Sequence, residues 1–108
     1  MHAAAETLLF KTLADPTRRA LFERLAREGE LTVGALTRRA GVSQPAVSQH
    51  LEALRQAGLV TNRRDGRTAH YRATPRGLVP LTNWLAHYGV FWRERFANLR
   101  SLLKEIDP

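Results

Sequence analysis

Residues 43–58 read SQPAVSQHLEALRQAG, and this stretch decides the fold. Ser43 suits an N-cap, Pro45 suits a first turn whose N–H groups have no intrahelical partner, and Gly58 suits the end of the helix. Val47, Leu51 and Leu54 recur at i, i+4 and i+7, which places them on one apolar face. Gln49, Glu52 and Gln56 fall opposite, with Ser48 and Arg55 on a flank. The N-terminal half of this helix, about residues 43–57, thus exposes small and amide-bearing groups: Gln44, Ala46, Ser48 and Gln49.

Just upstream, Thr32 caps a short helix over residues 33–39 that Gly41 closes. Two short helices separated by Ala40-Gly41-Val42 form a helix-turn-helix pattern. Further back, Leu8, Leu9 and Leu13 mark a first helix over residues 3–13. Asp15-Pro16 starts a second, with Leu21, Phe22 and Leu25 as its stripe and Gly29 in a left-handed closing position.

Downstream, residues 59–64 and 67–72 flank Asp65-Gly66, a hairpin signal of the type I′ kind, which needs positive φ at both central residues. That turn sets Arg64 across from Arg67, and Val60 across from an inward Tyr71. Like charges directly opposite each other repel, so an arginine-tipped hairpin implies an anion at the tip. A basic hairpin directly after a helix-turn-helix is a wing, spanning about residues 59–73.

Thr74-Pro75 opens a further turn that Pro80 breaks or restarts. From Leu81 the apolar positions Leu85, Tyr88, Trp92, Phe96, Leu99, Leu102 and Ile106 follow at three- and four-residue steps, widened by Trp84 and Phe91. One helix over about residues 80–106 is expected, roughly 40 Å long at ~1.5 Å per residue. It either folds back on its own domain or pairs with a second chain. The stripe is longer than a small winged core covers, which favours pairing.

The chain has 108 residues, with 17 Lys and Arg against 10 Asp and Glu, and no cysteine. The absence of cysteine excludes disulfides, thiolate metal sites, iron–sulfur clusters, cysteine nucleophiles and thiol redox sensing. No apolar run is long enough to span a membrane, and the first residues lack the pattern of a signal peptide. The expectation is one cytoplasmic domain over residues 1–108, mainly α with a small β-hairpin (α+β).

Residues 1–37 are electrically balanced, whereas residues 38–76 carry eight arginines against Glu52 and Asp65. Nearly all of the net charge of +7 therefore sits in the helix-turn-helix and hairpin. Arginine holds phosphate through a planar fork of donors, so this patch favours a polyanion over a merely solvated face. An anionic membrane surface would want an amphipathic basic helix with large exposed apolar residues, which this segment lacks.

Leu13-Ala14-Asp15-Pro16-Thr17-Arg18-Arg19, Ser43 to Leu51, Leu54 with Ala57-Gly58-Leu59-Val60, Arg64-Asp65-Gly66-Arg67 and Tyr71-Arg72 together resemble the ArsR/SmtB family of winged helix-turn-helix repressors. The match runs in order over about residues 8–77. The resemblance implies a homodimer built from the first and last helices, which would use Leu8, Leu9, Leu85, Tyr88, Trp92, Phe96, Leu99 and Leu102. It also implies binding to an imperfect palindrome in double-stranded DNA and release by an inducer.

The family's metal sensors carry two cysteines in the helix before the recognition helix. Here that stretch reads Glu30-Leu31-Thr32-Val33-Gly34-Ala35-Leu36, with Thr32 and Gly34 at the thiolate positions. The family's other site pairs Asp-x-His with a later His-x-x-Glu on the last helix, where this chain has Asn83 and a single His87. Zinc needs about three or four ligands, so no metal and no cofactor are expected, and the inducer stays unassigned.

For DNA contact the candidates are Ser43, Gln44, Pro45, Ser48 and Gln49 on the helix, with Arg55, Arg63, Arg64, Arg67 and Arg72 around and on the wing. Glutamine bonds bidentately to adenine in the major groove, while arginines suit phosphate and the minor groove. His50 reads as a half-buried histidine bonded to a neighbour or to phosphate, and His70 as a phosphate contact or surface residue. Ser48 and His50, two apart on a helix, do not face each other, and no paired-carboxylate or phosphate-loop motif occurs, so no catalytic site is expected. An RNA-binding winged helix would want exposed aromatics in the basic region, where Tyr71 alone is present. A protein-interaction module would not need the basic excess.

Overall fold

The computed structural model describes residues 2–106, with side chains from residue 4; Met1, Asp107 and Pro108 of the expected unit lie outside the described residues. Helix α1 (His2–Ala14) is followed by α2 (Pro16–Glu28), whose first turn is closed by Asp15. The Asp15 carboxylate accepts from the N–H groups of Thr17 and Arg18 at 2.9 and 3.1 Å. Gly29 ends α2 with φ 84° and ψ −159°. Its φ is positive as expected, but ψ is extended, which sends the chain into a strand rather than a further turn.

That strand, β1 (Leu31–Thr32), was not expected. Two residues are too few to show a period of two. The Thr32 hydroxyl then caps α3 (Val33–Thr37), accepting from the N–H of Ala35 at 3.1 Å. The helix ends two residues short of residue 39, in a turn in which the Ala40 N–H reaches the Thr37 carbonyl. Ser43 caps α4 (Gln44–Gln56), accepting from the N–H of Ala46 at 3.3 Å.

Strands β2 (Val60–Asp65) and β3 (Thr68–Ala73) form the wing, and β1 pairs with the other edge of β3, so the sheet runs β1-β3-β2 and is antiparallel throughout. The register corrects the expected turn. Asp65 pairs with Thr68, so the central residues are Gly66 and Arg67, with positive φ at Gly66 alone. Glycine at the first central position suits a type II′ turn and spares Asp65 the left-handed conformation that I′ would have imposed. Arg64 therefore faces Ala69 rather than Arg67, and Tyr71 faces Asn62 rather than Val60. The shift changes each partner by two residues, which preserves faces, so Val60 and Tyr71 both still point inward and are buried.

The expected continuous C-terminal helix is also corrected. A 3₁₀ turn (Pro75–Leu78) leads into α5 (Val79–His87), and a separate α6 spans Gly89–Ile106. Between them Tyr88 leaves helical geometry (φ −102°, ψ 3°), and its N–H bonds back to the Leu85 carbonyl. Gly89, a poor helix former, follows directly. The apolar spacing runs unbroken across this joint, so the stripe alone did not disclose it.

Leu25, Leu36, Val47, Leu51, Leu54, Leu59 and Val60, each at most 1% exposed, form the centre of the core between α2, α3, α4 and the sheet. Leu9, expected on a dimer face, belongs to this core at 2% exposed, because it points from α1 onto α2 and not outward. Gly77 in the 3₁₀ turn rests on the backbone that ends α4, so closely that an added Cβ would run into the Gly58 carbonyl. With the Thr74 N–H bonded to the Leu59 carbonyl at 2.8 Å, this contact fixes where the wing returns to the helices.

Candidate nucleic-acid interface

The apolar face of α4 is sealed into the core, and this decides what its other face can do. With Val47, Leu51 and Leu54 buried, Gln44, Pro45, Ser48 and Gln49 all lie exposed at or near the N-terminal end of the helix. Ser43 is exposed too, but its hydroxyl is already engaged as the cap. Buried leucines thus hold two amides and a hydroxyl on a rigid element, free to bond base edges.

The helix is also tied to its neighbour. Arg18 on α2 donates from Nε to Nδ1 of His50 at 3.2 Å, across two elements. The expected half-burial of His50 and its bond to a neighbour are both found, with Arg18 as the partner. Nothing in the local sequence of α4 pointed to Arg18.

The arginines divide into two groups. Arg55 is bound to Glu52, with Nε 2.8 Å from Oε2, and this pair lowers the Glu52 pKa and raises that of Arg55. Arg63 is bound to Glu30, 2.7 Å from Oε1, and His70 Nδ1 lies 3.4 Å from the same oxygen. By contrast, Arg64, Arg67 and Arg72 stand exposed on the hairpin and, among the described residues, form no salt bridge. The wing therefore presents guanidinium groups without a salt bridge among the described residues, and α4 presents amides without a hydrogen-bond partner there. Guanidinium and amide are the two kinds of group that contact phosphate and base edges in protein–DNA complexes.

The positions that bear thiolates in the family's sensors do other work here. Thr32 is committed to capping α3, and Gly34 lies inside that helix. His87 stacks edge-on against Tyr88, their ring centres 5.0 Å apart.

Away from this surface, Leu8, Leu85, Tyr88, Trp92, Phe96, Leu99 and Leu102 are all exposed. Trp84 joins α5 to α1 through an edge-on contact with Phe10 at 5.3 Å. α6 continues beyond this contact, and the molecule reaches 62 Å along its longest axis.

A helix-turn-helix domain family model matches residues 13–63. The HTH-type transcriptional regulator Rv2034 of Mycobacterium tuberculosis is 44% identical over 94 residues, covering 87% of this chain and 84% of that protein. The arsenic resistance transcriptional regulator ArsR1 of Pseudomonas putida is 47% identical over 68 residues, covering 63% of this chain; the matched part spans 53% of that protein's length. Among solved structures, an ArsR-like transcriptional regulator from Rhodococcus sp. RHA1 superposes with a TM-score of 0.71 at 31% identity, covering 93% of each chain.

Proposed function

The chain belongs to the ArsR/SmtB family of winged helix-turn-helix regulators, and from that premise we propose that it is a homodimeric, metal-independent repressor of a palindromic operator. The observation that carries this reading is the pairing of exposed Gln44, Ser48 and Gln49 on α4 with the unpaired Arg64, Arg67 and Arg72 on the wing. In this reading α4 enters the major groove. Gln44 and Gln49 read base edges, Ser43, Pro45 and Ser48 fit the N-terminal end of the helix to the strand, and the wing arginines hold phosphate and the minor groove. Arg55 and Arg63 join them once released from their carboxylates.

In this reading residues 1–108 act as one winged unit with a C-terminal dimerisation arm. The exposed apolar residues of α1, α5, α6 and the joint between the last two (Leu8, Leu85, Tyr88, Trp92, Phe96, Leu99 and Leu102) support pairing with a second copy, which spaces two recognition helices about 34–36 Å apart. Use of Thr32 as a helix cap supports control by a signal other than a thiolate-bound metal. Duplex DNA as the partner places the protein in the cytoplasm.

Selection of binding sites from a random duplex library tests this reading, with sedimentation of the free protein alongside. The expected product is a two-fold symmetric sequence whose affinity falls steeply with salt and is indifferent to chelator or added zinc. An enriched sequence without symmetry, a monomer at micromolar concentration, or a tenfold response to metal would each contradict one part of it.

A further inference from the structure

On the outer face of the wing, Thr61, Arg63, His70 and Arg72 surround a shallow cleft of about 110 Å³ that Glu30 enters from the loop before β1. The register explains the grouping. Thr61 pairs with Arg72 and Arg63 with His70, so all four share the face opposite buried Val60 and Tyr71. Leu31 pairs with Tyr71, which brings Glu30 alongside Arg72 at the same edge. Among the described residues Glu30 is the only carboxylate lining this cleft, beside the Thr61 hydroxyl, the Asn62 amide and the bases Arg63, His70 and Arg72, and its Oε1 lies 2.7 Å from Arg63 and 3.4 Å from His70.

We propose that this face is a phosphodiester site which Glu30 fills in the free protein, and that Arg63 exchanges the Glu30 carboxylate for a backbone phosphate when DNA binds. The proposal rests on the DNA-binding reading and adds to it a residue that limits sequence-independent affinity. Carboxylate and phosphate present a guanidinium with equivalent oxygen acceptors, so one can replace the other without rebuilding the site. The resident pair is easily opened, since the Arg63 and Glu30 side chains are 58% and 30% exposed and pairs of this kind are weak. A phosphate arriving with the duplex also releases condensed counterions, which the internal carboxylate does not. Glu30 thus competes with every DNA sequence for the same cation.

The test measures binding of the full chain to a random-sequence duplex across a salt series, using Glu30→Gln, Arg63→Met and the double variant. Glu30→Gln is expected to tighten binding about two- to fivefold, the range of a weak ion pair. Arg63→Met is expected to weaken binding and flatten the salt slope by about 0.9, the loss of one phosphate contact. In the Arg63→Met background the gain from Glu30→Gln should shrink at least twofold, leaving only the effect of removing a negative charge. Equal gains in both backgrounds, weaker binding by Glu30→Gln, or an unchanged slope in Arg63→Met would each overturn the proposal. Glu30→Ala, run in parallel, should show the same ordering. Failure of the unmodified protein to bind random duplex at low salt would instead remove the DNA-binding reading, and the phosphate site with it.

Discussion

Arg18 on α2 and His50 on α4 are joined side chain to side chain, the guanidinium Nε donating to imidazole Nδ1 at 3.2 Å. Nδ1 is thereby engaged as an acceptor, which leaves Nε2 for another partner. Asp15 completes the link at the start of α2. Its carboxylate accepts the backbone N–H groups of Thr17 and Arg18, and the bond from Arg18 is the main cause of its lowered pKa.

Arg18→Met keeps the stem and removes the donor, so protein stability should fall by only about 0.5–1.5 kcal/mol, the usual worth of one hydrogen bond. Binding to the selected operator should weaken more than binding to random duplex, because base reading depends on the angle of α4 and phosphate contact much less. Titrations on the two DNAs decide the matter. Equal losses would mean that Arg18 is itself a phosphate contact.

Asp15→Ala should cost about 1 kcal/mol near neutral pH, the typical loss of an N-cap. The donated N–H of Arg18 outweighs desolvation and, with His50 nearby, holds the Asp15 pKa below its ordinary 3.8. A depressed carboxylate pKa gives stability that is present above the unfolded value and lost as pH falls through the folded one. Denaturant unfolding should therefore show the gap between Asp15→Ala and the parent protein closing at acid pH, while Asp15→Asn, which still caps, should not acquire that dependence. A gap independent of pH would place the stabilisation elsewhere.

Two glycine substitutions should have opposite signs. Gly77→Ala forces a methyl group against the Gly58 backbone and should destabilise by about 1–3 kcal/mol, the usual cost of overpacking. Gly34→Ala meets nothing nearer than the Thr32 hydroxyl oxygen at 3.9 Å and should stabilise α3 by about 0.5–1 kcal/mol. Chemical denaturation of both variants tests the pair, and a tolerated Gly77→Ala would show that the 3₁₀ turn can move away from α4.

Gln44→Ala or Gln49→Ala should cost about 1–3 kcal/mol on the selected operator and little on random duplex. Arg64→Ala or Arg67→Ala should weaken both and reduce the salt slope by about 1 each. If the arginine variants lose only operator binding, the two sets of residues have exchanged roles.

Deleting residues 90–108 should leave a folded winged core, since no residue of α6 is buried or belongs to that core, with stability lowered only by the lost dimer contact. Operator binding should nonetheless collapse, because a monomer no longer holds two half-sites at fixed spacing. Sedimentation and calorimetry of the truncated chain separate these effects. A truncated chain that fails to fold even at high concentration would mean that α6 packs on its own protomer.

What could be read in the sequence was local. Asp15, Thr32 and Ser43 announced three helix starts because a cap depends on residue type at one position and on N–H groups two or three residues ahead. The buried face of α4 followed from the spacing of Val47, Leu51 and Leu54. The hairpin was legible but its register was not, since φ at Gly66 and Asp65 chooses the turn type and Asp-Gly permits more than one choice. β1 was too short to leave a pattern. Among the candidate contacts, exposure of Gln44 and Gln49 followed from helical phase. The engagement of Arg63 by Glu30 and of His50 by Arg18 joins residues distant in sequence, and only the assembled fold brings those pairs together.

The joint at Tyr88–Gly89 has a mechanical consequence. A continuous helix is a torsionally stiff rod that would carry any twist imposed at its far end straight into the core. Here a single 3₁₀ closure followed by glycine interrupts the rod. An interrupted rod has a softer point at which torsion imposed on α6 would be absorbed, while α5 itself is anchored to α1 through the Phe10–Trp84 contact. In the homodimer proposed above, a partner held on α6 would therefore set the spacing of the two winged units through this joint.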